Sequence, residues 1–135
     1  MKTITLFAIA ALTLVSCIEY ETVYVYDERD ALVGYYDVDE YSKTYREHIT
    51  YEIYVTKNPY DSREVYLNDF YALNTQVVAI VDRGIITIPR QITNGYEIQG
   101  SGDVFGRELH LNYRVWDLHG DNFADYCEAV AYSYY

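Results

Sequence analysis

Few side chains in this 135-residue chain combine the residue types and spacing that catalysis requires. The sequence contains no Gly-x-Ser-x-Gly elbow, no His-Glu-x-x-His, no glycine-rich phosphate loop and no Cys-x-x-Cys pair, so nucleophilic, zinc and nucleotide chemistry lack their usual supports. The three histidines are far apart, and His48 and His110 fall on the polar phase of predicted strands, which is typical of solvated side chains. We therefore expect a protein that is not an enzyme and that uses no cofactor.

One polar loop carries several oxygen donors, because Asp117, Asp121 and Asn122 lie close to His119 in sequence. A hard cation such as Ca²⁺ takes about 6 to 8 oxygen ligands. The loop has neither the EF-hand spacing nor a terminal bidentate glutamate. It is interpreted as a plain polar turn, and no metal site is predicted.

The clearest chemistry belongs to Cys17. Lys2 gives a positive start, and the apolar run from Ile4 to Val15 that follows has the build of a secretory signal, shorter than the roughly 20 apolar residues of a membrane span. The tetrapeptide Leu14-Val15-Ser16-Cys17 resembles the bacterial lipobox, in which small residues admit a signal peptidase and the cysteine sulfur takes a diacylglycerol. The sequence therefore predicts a cleaved lipoprotein signal peptide over 1–16 and lipid attachment at Cys17.

Acylation at Cys17 would decide the location of the mature chain. Each buried methylene contributes about 0.8 kcal/mol, and a lipidated cysteine with several acyl chains is held firmly. We expect the mature chain to be held on a bacterial membrane by this lipid anchor. The alternative interpretation is an ordinary secretory peptide with a chance cysteine.

Charge limits the partners of the mature chain. The formal net charge of −11 becomes −12 when residues 1–16 are removed, because Lys2 is their only charged side chain. This sign opposes phosphate backbones and anionic lipid surfaces, so nucleic-acid binding is not expected. If Cys17 is acylated, Cys127 has no disulfide partner within the chain, and it is interpreted as a small buried hydrophobe.

The sequence of the mature chain predicts a series of short strands. Residues 17–30 are acidic and tyrosine-rich, and are interpreted as a tether or a first edge strand ahead of a single domain over 31–135. Beyond them the side chains alternate with a period of two, as in Ile49, Tyr51, Ile53 and Val55. Eight strands are predicted, over 32–39, 48–56, 64–67, 76–81, 85–88, 96–100, 108–116 and 123–132. Short connections favour an antiparallel meander, and its closure into a small barrel would remove the exposed edges.

Several short motifs resemble those of small lipocalin-like lipoproteins of the Bacteroidetes. They are Gly34-Tyr35-Tyr36, Asn68-Asp69-Phe70, Ile86-Thr87-Ile88-Pro89-Arg90-Gln91, Gly95, Gly100-Ser101-Gly102, Leu109-His110-Leu111-Asn112-Tyr113 and Cys127-Glu128-Ala129. The resemblance covers most of the mature chain and implies a small antiparallel β-barrel on an outer-membrane anchor, in a family of mostly unknown activity. It leaves two faces of the bacterial outer membrane open, the periplasmic face and the cell surface. The family often has a cysteine soon after its first strand, where this chain has Glu40-Tyr41-Ser42. A disulfide to Cys127 is therefore not implied here.

The chain contains 18 tyrosines, all of them in the predicted mature part. Tyrosine is a good strand residue, and ordinary packing is one interpretation of this number. In a second interpretation, inward rings line a pocket, with Tyr36, Tyr51, Phe70 and Tyr113 as the candidates. Outward rings would form an interaction surface, with Tyr35, Tyr54 and Trp116 as the candidates.

Two functions follow from these interpretations. The first is a membrane-anchored, non-enzymatic binding module of lipocalin-like kind that holds a small apolar ligand, since barrels of about eight strands are either filled or just able to hold one. The second is a protein–protein interaction module, either an accessory subunit of an envelope complex or an inhibitor of a secreted enzyme.

Lipid attachment can be tested on its own. Labelled palmitate should enter the wild-type protein and should be absent from a Cys17→Ser variant, because serine lacks the sulfur that takes the acyl group. Equal labelling of the two proteins, or none on the wild type, would contradict the prediction.

Overall fold

The computed structural model describes residues 20–134 and is almost entirely β-structure. The predicted signal peptide and Cys17 lie outside the described residues. The eight strands are β1 (Gly34–Ser42), β2 (Glu47–Lys57), β3 (Glu64–Asn68), β4 (Gln76–Asp82), β5 (Ile85–Thr93), β6 (Tyr96–Phe105), β7 (Glu108–Asp117) and β8 (Asp125–Ser133). Two short 3₁₀ helices, Glu28–Ala31 and Phe70–Ala72, precede β1 and β4. Over residues 20–134 no helix is both long enough and apolar enough to cross a membrane.

The strands form a closed antiparallel barrel. Each strand pairs with the next one in sequence, and β1 pairs with β8, so that Ser42 lies opposite Cys127 and Tyr36 opposite Ser133. This confirms the predicted all-β fold, an antiparallel meander of eight strands that closes into a barrel. Closure gives every strand two neighbours, which satisfies backbone groups that an open sheet would leave unpaired.

Side chains that alternate along the strands fill the barrel interior. On β1 the residues from Tyr36 to Ser42 are buried at every second position, and β4 buries Val77, Ala79 and Val81 in the same way. The interior of a barrel with this number of strands is just wide enough to be filled by such side chains. The middle of the barrel is therefore a packed hydrophobic core.

Two local features bend the wall. Gly100 and Gly102 lie where β6 approaches β7 so closely that an added Cβ would meet Tyr113 or the backbone of His110. On β5 the register shifts between Ile88 and Gln91, at Pro89 and Arg90, which is a position where a strand tolerates proline. Glycine kinks and bulges are the usual means of curving a sheet into a barrel.

The two ends of the barrel differ. At the end we call the closed end lie the chain's entry into β1 and the β2–β3, β4–β5 and β6–β7 turns. At the end we call the open end lie the β1–β2, β3–β4, β5–β6 and β7–β8 connections. These assignments follow from the strand directions alone.

The first 3₁₀ helix fastens the N-terminal segment to the closed end. The buried Arg29 guanidinium donates to the carbonyls of Asn58, Asp61 and Glu64, at 3.1, 2.7 and 3.0 Å, and pairs with Asp27 at 2.8 Å. The Glu28 carboxylate accepts hydrogen bonds from the backbone of the β4–β5 turn. These bonds span two turns, so the segment bridges this end of the barrel.

The sequence predicts a tether or a first edge strand over residues 17–30, and their described part does not form the strand. Within the described part, residues 20–27 form no strand, and 28–31 form the 3₁₀ helix. The reason is local, because the Asp27 carboxylate caps the helix at Arg29 N and binds the Arg29 side chain. The last predicted strand is also shorter, since it begins at Asp125 instead of residue 123.

The close approach of β6 to β7 gives a stability prediction. Gly102→Ala should lower the free energy of unfolding by about 1–3 kcal/mol, because the new methyl would collide with the carbonyl oxygen of His110. Urea denaturation measures the change. Ser101→Ala, on the exposed face of the same strand, is the matched control and should change stability little. Equal effects of the two substitutions would show that β6 can move away from β7.

Candidate functional site

Two carboxyl groups are buried inside the barrel near its open end. Glu40 comes from β1 and Asp125 from the start of β8, and their exposed fractions are only 1% and 5%. A carboxyl group removed from water requires hydrogen-bond donors, because desolvation strongly disfavours an unpaired charge. The surrounding hydroxyl groups supply them.

Glu40 is held by two tyrosines. The Tyr51 hydroxyl donates to Glu40 Oε2 at 2.7 Å, the Tyr113 hydroxyl donates to the same oxygen, and the two hydroxyls are 3.1 Å apart. Burial raises the pKa of the Glu40 carboxyl above its ordinary value, although the hydrogen bonds from Tyr113 and Tyr51 lower it. Burial also raises the pKa of Tyr113 and that of Tyr51, so both phenols stay protonated and can donate hydrogen bonds.

Asp125 is held by one residue from the barrel wall and one from a loop. Ser42 Oγ donates to Asp125 Oδ1 and the Tyr71 hydroxyl donates to Oδ2, each at 2.5 Å. Burial, together with the Asp125 carboxylate, raises the pKa of Tyr71. Tyr71 therefore connects the β3–β4 loop directly to the interior of the barrel.

The loop that carries Tyr71 has an unusual backbone. Asp69, Tyr71, Ala72 and Asn74 all have positive φ, between 51° and 63°, although none of them is glycine. Asp and Asn tolerate this region, whereas each such residue of another type costs roughly 1–3 kcal/mol. The loop persists in this form because Phe70 is buried in the core and Tyr71 is bonded to Asp125.

Cys127 lies between the two carboxyl groups as a buried free thiol. Burial, with Glu40 and Asp125 nearby, raises the pKa of this thiol. The structure thus agrees with its interpretation as a small buried residue. Its partner in the β1–β8 register is Ser42, which cannot form a disulfide.

A cavity of about 220 Å³ opens at this end of the barrel, and we call it the mouth. Four rings line it, from Tyr45, Tyr71, Tyr96 and Phe123. Three aspartates line it as well, Asp117, Asp121 and Asp125, together with Val115 and Gly120. Each of the four connections at the open end therefore either contributes a residue to the lining of the mouth or lies next to a lining residue.

Hydrogen bonds tie the rim of the mouth together. Thr44 Oγ1 donates to Ala124 O at 3.1 Å and accepts from Tyr126 N at 3.0 Å, which joins the β1–β2 turn to the β7–β8 loop. Leu118 N donates to Gly95 O at 3.0 Å, which joins the β5–β6 turn to the same loop. The rim is thus preorganised by the fold.

The predicted pocket residues are inward but do not line the mouth. Tyr36 lies towards the closed end, where its hydroxyl donates to Leu32 O. Tyr51 and Tyr113 hold Glu40, and the Phe70 ring packs 4.7 Å from that of Tyr113, measured between centroids. These last three lie around Glu40 inside the barrel, and their role in ligand binding stays a prediction.

The predicted surface residues do not form one patch. The Tyr35 and Tyr54 rings stack on the outer wall at a centroid distance of 4.4 Å, near the closed end. Trp116 lies near the open end of β7, opposite Glu97 on β6. A partner could therefore contact the tyrosine pair without contacting the tryptophan.

The remaining candidates for chemistry are solvated. His48 lies 3.6 Å from Asp39 on the exposed wall, and His110 pairs with Glu108 at 2.8 Å. Among residues 20–134 no group of three His, Cys, Asp or Glu side chains could hold a metal ion. A groove of about 820 Å³ on the outer wall, along β6–β8, is larger than the mouth, but its cations Lys43 and Arg114 are already paired with Glu128 and Glu97.

Sequence reasoning missed the buried carboxyl groups and the mouth. The signal was present for Glu40 and Ser42, because they continue the inward phase of Tyr36 and Val38. Asp125 shares the phase of Cys127 in the same way. The rings of the mouth come from three connections and from the first residue of β6, and no local pattern brings these together.

The fold and the site define the protein as a closed eight-stranded antiparallel barrel with buried carboxyl groups beneath an aromatic mouth. No family model matches the chain, and no curated protein matches it significantly.

The raised pKa of Glu40 predicts that the free energy of unfolding depends on pH. The folded state holds this proton more tightly than the unfolded state, so the stability that it contributes is complete below the ordinary value of 4.5 and is lost as pH rises through the folded-state pKa. Across that range the unfolding free energy of the wild type should therefore fall relative to that of Glu40→Gln, which does not titrate. Denaturant unfolding from pH 4 upward measures the difference, and parallel profiles would contradict it.

Proposed function

We propose that this protein is a lipid-anchored, non-enzymatic binding module of lipocalin-like kind, which takes a small ligand at the mouth. The observation that carries the proposal is the contrast between the two barrel ends. One end is bridged by the Arg29 hydrogen bonds, and the other has an aromatic cavity above buried carboxyl groups. Small-molecule sites are typically concave and mostly apolar, with a few polar groups that fix orientation.

The strained loop supports this choice of site. Non-glycine residues at positive φ cluster at ligand-binding and switch regions, because the surrounding structure must hold them there. In this chain four such residues fall in one loop, and the loop places Tyr71 both on Asp125 and in the wall of the mouth. The fold therefore already holds this loop and Tyr71 in place before a ligand binds.

The position of the first described residues fits an anchored binder. Residues 20–26 are exposed and lead into the closed end, through the helix that Arg29 fastens. An acyl group on Cys17 would therefore join the barrel at its closed end, and the mouth would lie at the opposite end. Ligands could then reach the mouth from the aqueous side.

A second candidate, the protein–protein interaction module, is favoured by the outer wall of β1 and β2. Tyr35 is 52% exposed and stacks on Tyr54, while Asp37 and Glu52 accept hydrogen bonds from Tyr134 beside them. Exposed aromatic residues are enriched at protein interfaces. This acidic, tyrosine-bearing surface would suit a basic protein of the cell envelope.

Native mass spectrometry of the full-length protein extracted from membranes tests the first candidate. The wild type should carry a small molecule in addition to its acyl groups. Phe123→Ala should lose it, because Phe123 lines the mouth and is 72% exposed, so that its ring is free to contact a ligand. Phe105→Ala is the matched control, since Phe105 is 70% exposed at the closed end.

Retention of the small molecule by Phe105→Ala and its loss from Phe123→Ala would support the mouth as the site. A mass that corresponds to the acylated chain alone, or equal retention by all three proteins, would count against it. A bound polypeptide in place of a small molecule would favour the interaction module.

A further inference from the structure

We propose that the ligand of the mouth is a small organic cation that presents an alkylammonium group. This inference rests on the proposed function and adds the chemical class of the ligand. It follows from a combination of charge and aromatic surface within one cavity.

The charge of the lining has one sign. Asp117, Asp121 and Asp125 belong to the lining, and among residues 20–134 no Lys, Arg or His lines the cavity. Asp117 Oδ1 accepts from His119 N at 2.9 Å, and this neutral backbone donor leaves the charge of the carboxylate in place. An anionic ligand would therefore be repelled, whereas a cation would be attracted.

Basic residues near the open end do not reverse this sign. Lys43, in the β1–β2 turn, is paired with Glu128 on the outer wall. Arg46 and His119 are exposed on the rim connections, and neither lines the cavity. The low effective dielectric of a partly enclosed site strengthens the attraction of its carboxylates for a cation.

The aromatic rings of the mouth provide a second attraction for a cation. Tyr45 and Phe123 are exposed, Tyr71 and Tyr96 are half-buried, and all four line the same cavity. Aromatic faces attract cations through the ring quadrupole, and alkylated ammonium groups are the ligands that such aromatic cages favour. A neutral ligand would gain only the apolar contact with these rings.

Three probes of similar shape separate the contribution of charge from that of apolar contact with the rings. They are choline, its neutral carbon isostere 3,3-dimethylbutan-1-ol, and the anion 3,3-dimethylbutanoate. Each is titrated into detergent-solubilised full-length protein, and binding is followed by the ring resonances of Phe123 and Tyr96. Choline should bind about tenfold more tightly than the neutral isostere. The anion should bind more weakly than either, and added salt should weaken choline binding.

A pair of charge-matched variants locates the effect. Asp121→Asn removes one exposed carboxylate from the lining and should weaken choline binding about threefold, while leaving the neutral probe unaffected. Asp103→Asn removes the same charge from an exposed position on β6 near the closed end, and should leave both affinities unchanged.

The outcomes separate this inference from the proposed function. Equal binding of the three probes at the mouth, or tighter binding of the anion, would overturn the cation preference and leave the binding module standing. No change at Phe123 or Tyr96 with choline would also overturn the inference, and the native mass would then decide the binding module alone. Equal weakening by Asp121→Asn and Asp103→Asn would show a general charge effect and overturn the assignment to the mouth.

Discussion

The structure depends on keeping two carboxyl groups supplied with hydroxyl donors inside a closed barrel. Glu40 and Asp125 lie on β1 and β8, the two strands whose pairing closes the sheet. Their donors come from β1, β2, β7 and the β3–β4 loop. Tyr51 reaches Glu40 from the neighbouring strand β2, whereas the bonds from Ser42 to Asp125 and from Tyr113 to Glu40 form only where β1 pairs with β8. Removal of one partner from such a group leaves a buried polar atom without a bond, which typically costs about 1–3 kcal/mol. Closure and carboxyl burial therefore require one another.

This requirement also gives the barrel its polarity. The buried carboxyl groups of Glu40 and Asp125 lie towards the open end, whereas the closed end is bridged by the hydrogen bonds of the buried Arg29. The strained loop from Asp69 to Asn74 is held over the polar end by Phe70 and Tyr71. A site with aromatic walls and a fixed rim thus arises at the open end.

The fold could be predicted from sequence because its signals are local. The period of two along residues such as Ile53 and Val55 indicates strands, and turns such as Asn94-Gly95 mark their ends. The site was less accessible to prediction. The alternation of buried residues on β1 places Glu40 and Ser42 on the inward face, but glutamate usually lies in solvent, so the pattern alone did not predict its burial. Nothing in the residue types of Tyr71 and Ala72 indicates positive φ, because tertiary contacts impose it.

The central claim is that the mouth above Asp125 is where this protein meets its ligand. A crystal structure of the protein extracted from membranes, with no ligand added, tests it most directly. The account predicts electron density for a small molecule in contact with the rings of Tyr96 and Phe123, within reach of the mouth's carboxylates. A mouth that holds only water, with a bound molecule on the outer wall instead, would contradict it.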